Sequence, residues 1–162
     1  MTKAEIIKSN IENVNDKYNT SFNVNILNRK SRNYNTVLVT KEDGFNFTIE
    51  DIITVLHNSG LEDWKISLNY GDEDIDYLGY AYLDNIKRKN GYIVLDGNLE
   101  ECHDNVMTGL SLRDNYLSNG MKNEPVYINN RGGGINFGTN RGMSYIEIRI
   151  NKIGTSDRVN FG

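Results

Sequence analysis

Three segments of this chain alternate apolar and polar residues with a period of two, the pattern of a β-strand with one buried face. The clearest runs from Trp64 to Tyr70, and the other two cover residues 22–26 and 143–150. In the last of them we expect one set of side chains to face the core and the other to face outward: Ile146, Ile148 and Ile150 in, Tyr145, Glu147 and Arg149 out. The chain is therefore expected to build a β-sheet.

Further strands are expected where apolar and β-branched residues form short runs. These runs lie at 34–40, 75–86, 92–95 and 126–128. Asn90-Gly91 is a strong signal for a two-residue hairpin, which joins the second run to the third. Because hairpins outnumber crossovers, we expect a largely antiparallel sheet.

Helices are expected at 3–18, 49–58 and from near Asn98 to Leu117. The first two begin with capping-box spacings, Thr2 with Glu5 and Thr48 with Asp51. The third has an apolar stripe that is expected to pack inward: Leu99, Cys102, Val106, Leu110 and Leu117.

The predicted element order is αββαβββαββ. It indicates an α+β fold, with six or seven strands in a largely antiparallel sheet and two or three helices packed on one face. At 162 residues the chain is expected to form a single domain over 1–162.

The composition points to an origin and a compartment. The chain has 25 asparagines but only two alanines and one proline, a skew toward AT-rich codons that is typical of low-GC Gram-positive bacteria and their phages. Its single cysteine, Cys102, allows no internal disulfide and fits a reducing cytoplasm. The sequence shows no apolar stretch of signal-peptide length, so we expect a cytoplasmic protein.

The strongest candidate for a partner-binding site is an acidic segment with interleaved tyrosines. Residues 62–84 carry seven acidic residues and one basic residue. Carboxylates beside tyrosines suit docking on a basic protein surface, since tyrosine supplies contact area at low entropic cost. A divalent cation or a solvated hairpin are the alternatives, although the segment lacks the glycine and distal glutamate of an EF-hand. The candidate residues are Asp72, Glu73, Asp74, Asp76, Tyr77, Tyr80, Tyr82 and Asp84.

A glycine-rich segment at 131–142 is the second candidate. Glycine lets backbone N–H groups turn toward an anion, and the flanking arginines add positive charge. The Lys-Ser/Thr pair of a P-loop is missing, so a loop that contacts nucleic acid or a partner and a plain hairpin loop both remain open. The residues concerned are Arg131, Gly132, Gly133, Gly134 and Arg141.

Catalytic signatures are weak in this sequence. His103 has Glu100, Glu101 and Asp104 nearby, an arrangement that fits a general base or a half-buried structural histidine. His57 falls in the last turn of a predicted helix, where the helix dipole favours positive charge. No Gly-x-Ser-x-Gly, Cys-x-x-Cys or His-Glu-x-x-His motif occurs, so we expect a non-enzymatic protein without a metal or another cofactor.

In size, composition and acidic patchiness the whole chain resembles the small anti-CRISPR proteins of phages and mobile elements, which share no common motif. The resemblance implies stoichiometric binding to a Cas9-type nuclease and a block of DNA binding or cleavage, and it carries over no individual residues. The isoelectric point near 5.2 disfavours direct binding to nucleic acid. The alternatives are a phage structural or accessory protein and a small hydrolase or nuclease that uses His103 with Glu100 or Glu101.

Overall fold

The structure is a computed structural model that describes residues 1–28, 34–42, 46–69, 80–98, 107–118, 123–130, 139–152 and 157–162. Within these residues the chain forms three helices and nine strands. The helices are α1 (Lys3–Tyr18), α2 (Ile49–Asn58) and α3 (Gly109–Ser118). The strands are β1 (Phe22–Leu27), β2 (Tyr34–Lys41), β3 (Lys65–Asn69), β4 (Tyr80–Lys89), β5 (Tyr92–Asn98), β6 (Val126–Asn130), β7 (Thr139–Gly142), β8 (Tyr145–Asn151) and β9 (Arg158–Phe161).

The first two helices begin where the capping signals predict. At the start of α1, the Thr2 hydroxyl accepts from the Glu5 N–H while the Glu5 carboxylate accepts from the Thr2 N–H. Thr48 and Asp51 make the same reciprocal pair at the start of α2. Each box satisfies helix N–H groups that would otherwise lack a partner, so these boundaries are fixed locally.

The nine strands form one sheet in the order β1-β2-β8-β9-β3-β4-β5-β6-β7. Neighbouring strands are antiparallel except for β3 with β9 and β5 with β6. The predicted α+β class with a largely antiparallel sheet is confirmed, although the strand number was underestimated. The prediction missed β7 and β9, both of which are only four residues long.

A β-bulge turns the chain sharply between β7 and β8. Ser144 and Tyr145 both donate their backbone N–H to the carbonyl oxygen of Gly162. Two residues around the start of β8 therefore face the single residue that follows β9, as in a β-bulge. Just before the bulge, Met143 still donates its backbone N–H to the carbonyl of Val126, the first residue of β6. The chain therefore leaves one edge of the sheet at β7 and enters its other half at β8, so the sheet curls.

The apolar core lies on the face of the sheet that the helices cover. Every strand except β7 contributes to this face, α1 packs on β1 and β2, and α2 contacts both other helices. Fully buried examples are Ile66, Leu83, Ile148 and Phe161. The inward positions predicted for Ile146 and Ile148 are confirmed.

The third helix differs from the prediction. It begins at Gly109, and Asn98, near which the prediction started it, is the last residue of β5. Leu110 and Leu117 are exposed to 39% and 68%, while Leu112 is fully buried. The helix begins at Gly109 because Thr108 caps it through Ser111, and the helix phase then turns Leu112 inward. Leu99, Cys102 and Val106 lie outside the described residues.

Candidate functional site: a tyrosine-rich polar face

The second face of the sheet, opposite the helices, carries a concentration of tyrosines. Side chains alternate between the faces along a strand, and directly paired residues share a face. Tyr82 pairs with Ser67, Tyr127 with Val94, and Tyr145 with Thr40, and none of these residues belongs to the core cluster. We call this surface the tyrosine face and define it by five half-buried tyrosines: Tyr34, Tyr82, Tyr92, Tyr127 and Tyr145.

Beneath these tyrosines lies a layer of buried polar side chains. Asn160 is fully buried and Glu147 is 5% exposed, although both take polar positions of alternating strands. With the exception of Ser59, the buried polar residues of the described part of the chain all lie on this face: Thr36, Ser67, Asp96, Glu147 and Asn160. The outward position predicted for Glu147 is therefore correct in direction, but the side chain is not solvated.

Glu147 is the centre of a hydrogen-bond network that crosses four adjacent strands. Its carboxylate accepts from Arg149 Nε at 2.5 Å, from Asn160 Nδ2 at 3.3 Å and from Thr36 Oγ1 at 3.5 Å. Ser67 Oγ donates to Asn160 Oδ1 at 2.9 Å, which extends the network to β3. A buried carboxylate is tolerated only with a charged partner and further hydrogen bonds, and this one has both.

Two of the tyrosines are held in place by neighbours of this network. The Arg149 guanidinium lies 4.6 Å from the centroid of the Tyr34 ring, within cation–π range. Asn69 Nδ2 donates to the Tyr145 hydroxyl at 2.6 Å. The Tyr145 ring also lies so close to Gly162 that a side chain there would collide with it. These rings are therefore oriented before any partner arrives.

A second group of contacts lies further along the same face, on β4, β5 and β6. The rings of Tyr92 and Tyr127 meet edge to face with centroids 5.4 Å apart. Lys87 Nζ lies 3.3 Å from the carboxylate of buried Asp96. Tyrosine contact area and paired charges therefore continue across most of the sheet.

The structure places part of the predicted acidic segment at the border of this face. Tyr82 lies on the face as described, and Tyr80 takes the register position opposite Asn69. Asp84 is exposed at a β-bulge, because the pairing of β4 with β5 passes from Leu83–Gly97 directly to Asn85–Asp96. The remaining candidates lie outside the described residues: Asp72, Glu73, Asp74, Asp76 and Tyr77.

Of the glycine-rich candidates, the structure describes Arg141, which lies on β7 opposite Ile128. Its Nε and Nη2 atoms are shielded from solvent and have no hydrogen-bond partner. Burial lowers the pKa of the Arg141 guanidinium from its usual range, and nearby Tyr145 opposes the shift. The N–H groups of Nε and Nη2 form the edge of the guanidinium that suits a carboxylate or phosphate. Arg131, Gly132, Gly133 and Gly134 lie outside the described residues.

The histidine that the structure describes belongs to an ion-pair cluster between α2 and α3. His57 Nδ1 contacts the Glu62 carboxylate, and Arg113 Nη1 lies 2.8 Å from the other oxygen of that carboxylate. This cluster ties the end of α2 to α3, which accounts for His57 without catalysis. His103, Glu100, Glu101 and Cys102 lie outside the described residues.

The buried polar layer escaped the sequence analysis. Its members stand at the polar positions of alternating strands, which the period-two pattern assigns to an outward face. The signal available in the sequence was the type of residue, because the outward positions of β8 combine a tyrosine, a glutamate and an arginine. Among the described residues, no group of three or more His, Cys, Asp or Glu side chains is placed to hold a metal ion.

None of the helices within the described ranges has the length and apolar character needed to cross a membrane. Comparisons with protein-family models, with curated proteins and with solved structures find no match to this chain.

Proposed function

We propose that this chain is a non-enzymatic binding protein whose tyrosine face, together with exposed Asp84 at its border, docks on a partner protein. The observation that carries the proposal is the gathering of five tyrosines on one face above a hydrogen-bonded polar layer. Tyrosine is enriched at protein interfaces because its ring buries apolar area while its hydroxyl keeps a hydrogen bond. Pre-oriented rings also lose little side-chain entropy on binding.

The charges of this face favour a protein partner over nucleic acid. Binding to a phosphate backbone needs several cations that release counterions. Arg149 is paired with Glu147, and Lys87 is paired with Asp96. These two cations of the face are therefore occupied by carboxylates, and a partner meets aromatic rings and paired charges beside them.

The partner we propose is a nuclease that normally holds nucleic acid on a basic surface, with a Cas9-type enzyme as the first candidate. The support is the resemblance in size and composition to anti-CRISPR proteins and the acidic segment that reaches the tyrosine face at Asp84. Glu62, at the start of this segment, is already paired with Arg113. The carboxylates that we propose for the nuclease are Asp84 and those at 72–76.

A DNA-cleavage titration tests this proposal. Purified Cas9–guide complexes from several low-GC Gram-positive bacteria would receive the chain from sub-stoichiometric amounts to excess. We expect cleavage by at least one complex to stop near equimolar amounts. If every complex keeps cleaving in excess, the nuclease is not the partner.

Matched variants then separate the docking face from the rest of the surface. Tyr82→Ala, a truncation on the docking face, and Asp84→Lys, a charge reversal at its border, are each expected to weaken binding about tenfold or more. The controls are Tyr18→Ala and Glu12→Lys on α1, both at exposed positions. Glu5 is unsuitable as a control because it caps α1. Equal losses from both sets would remove the tyrosine face from the proposal.

The part of the acidic segment outside the described residues needs a separate variant. Lysine in place of Asp72, Glu73, Asp74 and Asp76 together is expected to weaken binding to a basic surface more than Glu12→Lys does. If binding is unchanged, Asp84 and the tyrosines act without this stretch.

A further inference from the structure

The first strand, β1, is an edge of the sheet. Within the part of the chain that the structure describes, β2 is the strand that pairs with it, and its other side has no strand neighbour. An edge strand presents unpaired backbone N–H and C=O groups in a row, ready to pair with another strand.

The register shows which residues carry these outward groups. Glu42 donates its backbone N–H to the carbonyl of Ser21, so this pair is hydrogen-bonded across the two strands. In an antiparallel ladder hydrogen-bonded pairs alternate with non-bonded ones. Asn23 and Asn25 therefore bond to β2, whereas Phe22, Val24 and Ile26 point their backbone groups away from it.

One of these three outward positions is already occupied. Asn15 on α1 donates from Nδ2 to the Phe22 carbonyl at 2.9 Å and accepts the Phe22 N–H on Oδ1, also at 2.9 Å. Its side-chain amide thus makes the two hydrogen bonds that a residue of a neighbouring strand would make. The edge that remains open consists of Val24 and Ile26.

The open edge lacks the usual protection against pairing. Natural edge strands are blocked by charged side chains, proline or bulges. β1 contains no charged residue and no proline, and its pairing with β2 is continuous from Phe22 to Leu27. The amide of Asn15 protects one end only.

We propose that β1 pairs with β1 of a second copy of this chain, antiparallel about a two-fold axis through Asn25. Val24 of each copy then exchanges backbone hydrogen bonds with Ile26 of the other, so both open residues are used. A shift toward the N-terminal end would place Ile26 against Phe22, which Asn15 blocks. A shift toward the other end would leave Val24 opposite Asn28, beyond the strand.

The side chains of β1 fit a second copy better than an unrelated strand. Antiparallel pairing of a strand with itself is two-fold symmetric, as a closed dimer interface requires. Since β1 is uncharged, self-pairing brings no like charges together. It places Val24 beside Ile26 on the core side and the exposed Asn25 side chains beside each other on the opposite side.

Sedimentation from low micromolar to near-millimolar concentration tests this dimer. The wild type is expected to shift from monomer to dimer, and amide exchange at Val24 and Ile26 is expected to slow as the dimer forms. Asn25→Lys and Asn25→Asp each place two like charges at the axis and should weaken the dimer about tenfold. Asn13→Lys, at an exposed position on α1, is the control and should dimerise like the wild type.

The decisive arm mixes the two variants at position 25. Lysine in one copy then meets aspartate in the other, so we expect the mixture to recover the dimer affinity that each variant alone loses. A wild type that stays monomeric at every concentration overturns the proposal. A mixture that stays monomeric overturns the pairing about Asn25. Neither result depends on the tyrosine face, so nuclease inhibition can succeed or fail independently.

Discussion

Both faces of this sheet bury side chains, but they do so by opposite chemistry. On β8, Ile148 is fully buried among apolar side chains, while the preceding residue, Glu147, is buried in a hydrogen-bond network. The helix-covered face is stabilised by area removed from water and tolerates changes that conserve volume. The tyrosine face is stabilised by matched hydrogen-bond donors and acceptors. Removing one partner there leaves a buried polar group without a hydrogen bond, so the full desolvation penalty of that group lowers the stability. Burial alone therefore does not identify the core of this protein.

The largest effect on stability is expected on the apolar, helix-covered face of the sheet. Ile148→Ala removes a fully buried side chain from the core cluster and should lower the free energy of unfolding by about 2–5 kcal/mol. Urea unfolding followed by circular dichroism measures it. Ile6→Ala, at an exposed position on α1, is the control and should change the value little. A small loss at Ile148 would mean that the core repacks around the cavity.

The next effect tests whether Glu147 stabilises the fold as a charged partner. Glu147→Gln keeps the size of the side chain but removes the negative charge that Arg149 contacts, so we expect a loss of about 1.5–3 kcal/mol. The measurement is the same urea transition. The control is Glu12→Gln, whose ion pair with Lys8 is exposed on α1 and should contribute less than about 0.5 kcal/mol. Equal losses would show that the buried network adds nothing beyond a surface pair.

The elements that the sequence predicted well are those whose cause is local. Capping boxes at Thr2 and Thr48 set two helices, and alternation set the inward residues of β8. The elements that were missed depend on distant partners. β9 is short and polar at Arg158 and Asn160, and it is a strand because β8 and β3 lie on either side of it.

The residues of the candidate site also fall into those placed by a local pattern and those placed by distant partners. Alternation within one strand is enough to put Tyr82 and its neighbour Leu83 on different faces of the sheet. The network around Glu147 joins four strands from distant parts of the chain, so no local pattern could show that its polar members are buried. The acidic residues at 72–76 remain a prediction.

A smaller effect concerns the aromatic pair on the tyrosine face. A double-mutant cycle of Tyr92→Leu and Tyr127→Leu should give a coupling of about 0.5–1.5 kcal/mol, the range of edge-to-face pairs. Unfolding free energies of the two single variants and the double variant supply it. Tyr82 with Tyr127 is the control pair, since β5 separates their strands, and should show a smaller coupling. A coupling near zero for Tyr92 and Tyr127 would mean that their rings contribute area alone.

The smallest effect is expected at Arg141, where the substitution should raise the free energy of unfolding rather than lower it. Burial lowers the pKa of its guanidinium, so the folded chain holds this proton less tightly than the unfolded chain does. While the guanidinium is protonated, its charge therefore works against folding, and the cost falls only as the pH rises through the folded-state pKa. Arg141→Met removes the charge and two donors that lack partners. We expect a free energy of unfolding within about 1 kcal/mol of the wild type, on the stabilised side.

Arg113→Met is the matched control for this change. The Arg113 guanidinium has a partner in Glu62, so its loss should destabilise the protein by up to about 1 kcal/mol at neutral pH. Urea transitions of both variants at neutral pH decide the sign. If Arg141→Met loses more stability than Arg113→Met, the guanidinium of Arg141 stabilises the fold despite its unmatched donors. A buried charge would then be as well accommodated at the sheet edge on β7 as it is around Glu147.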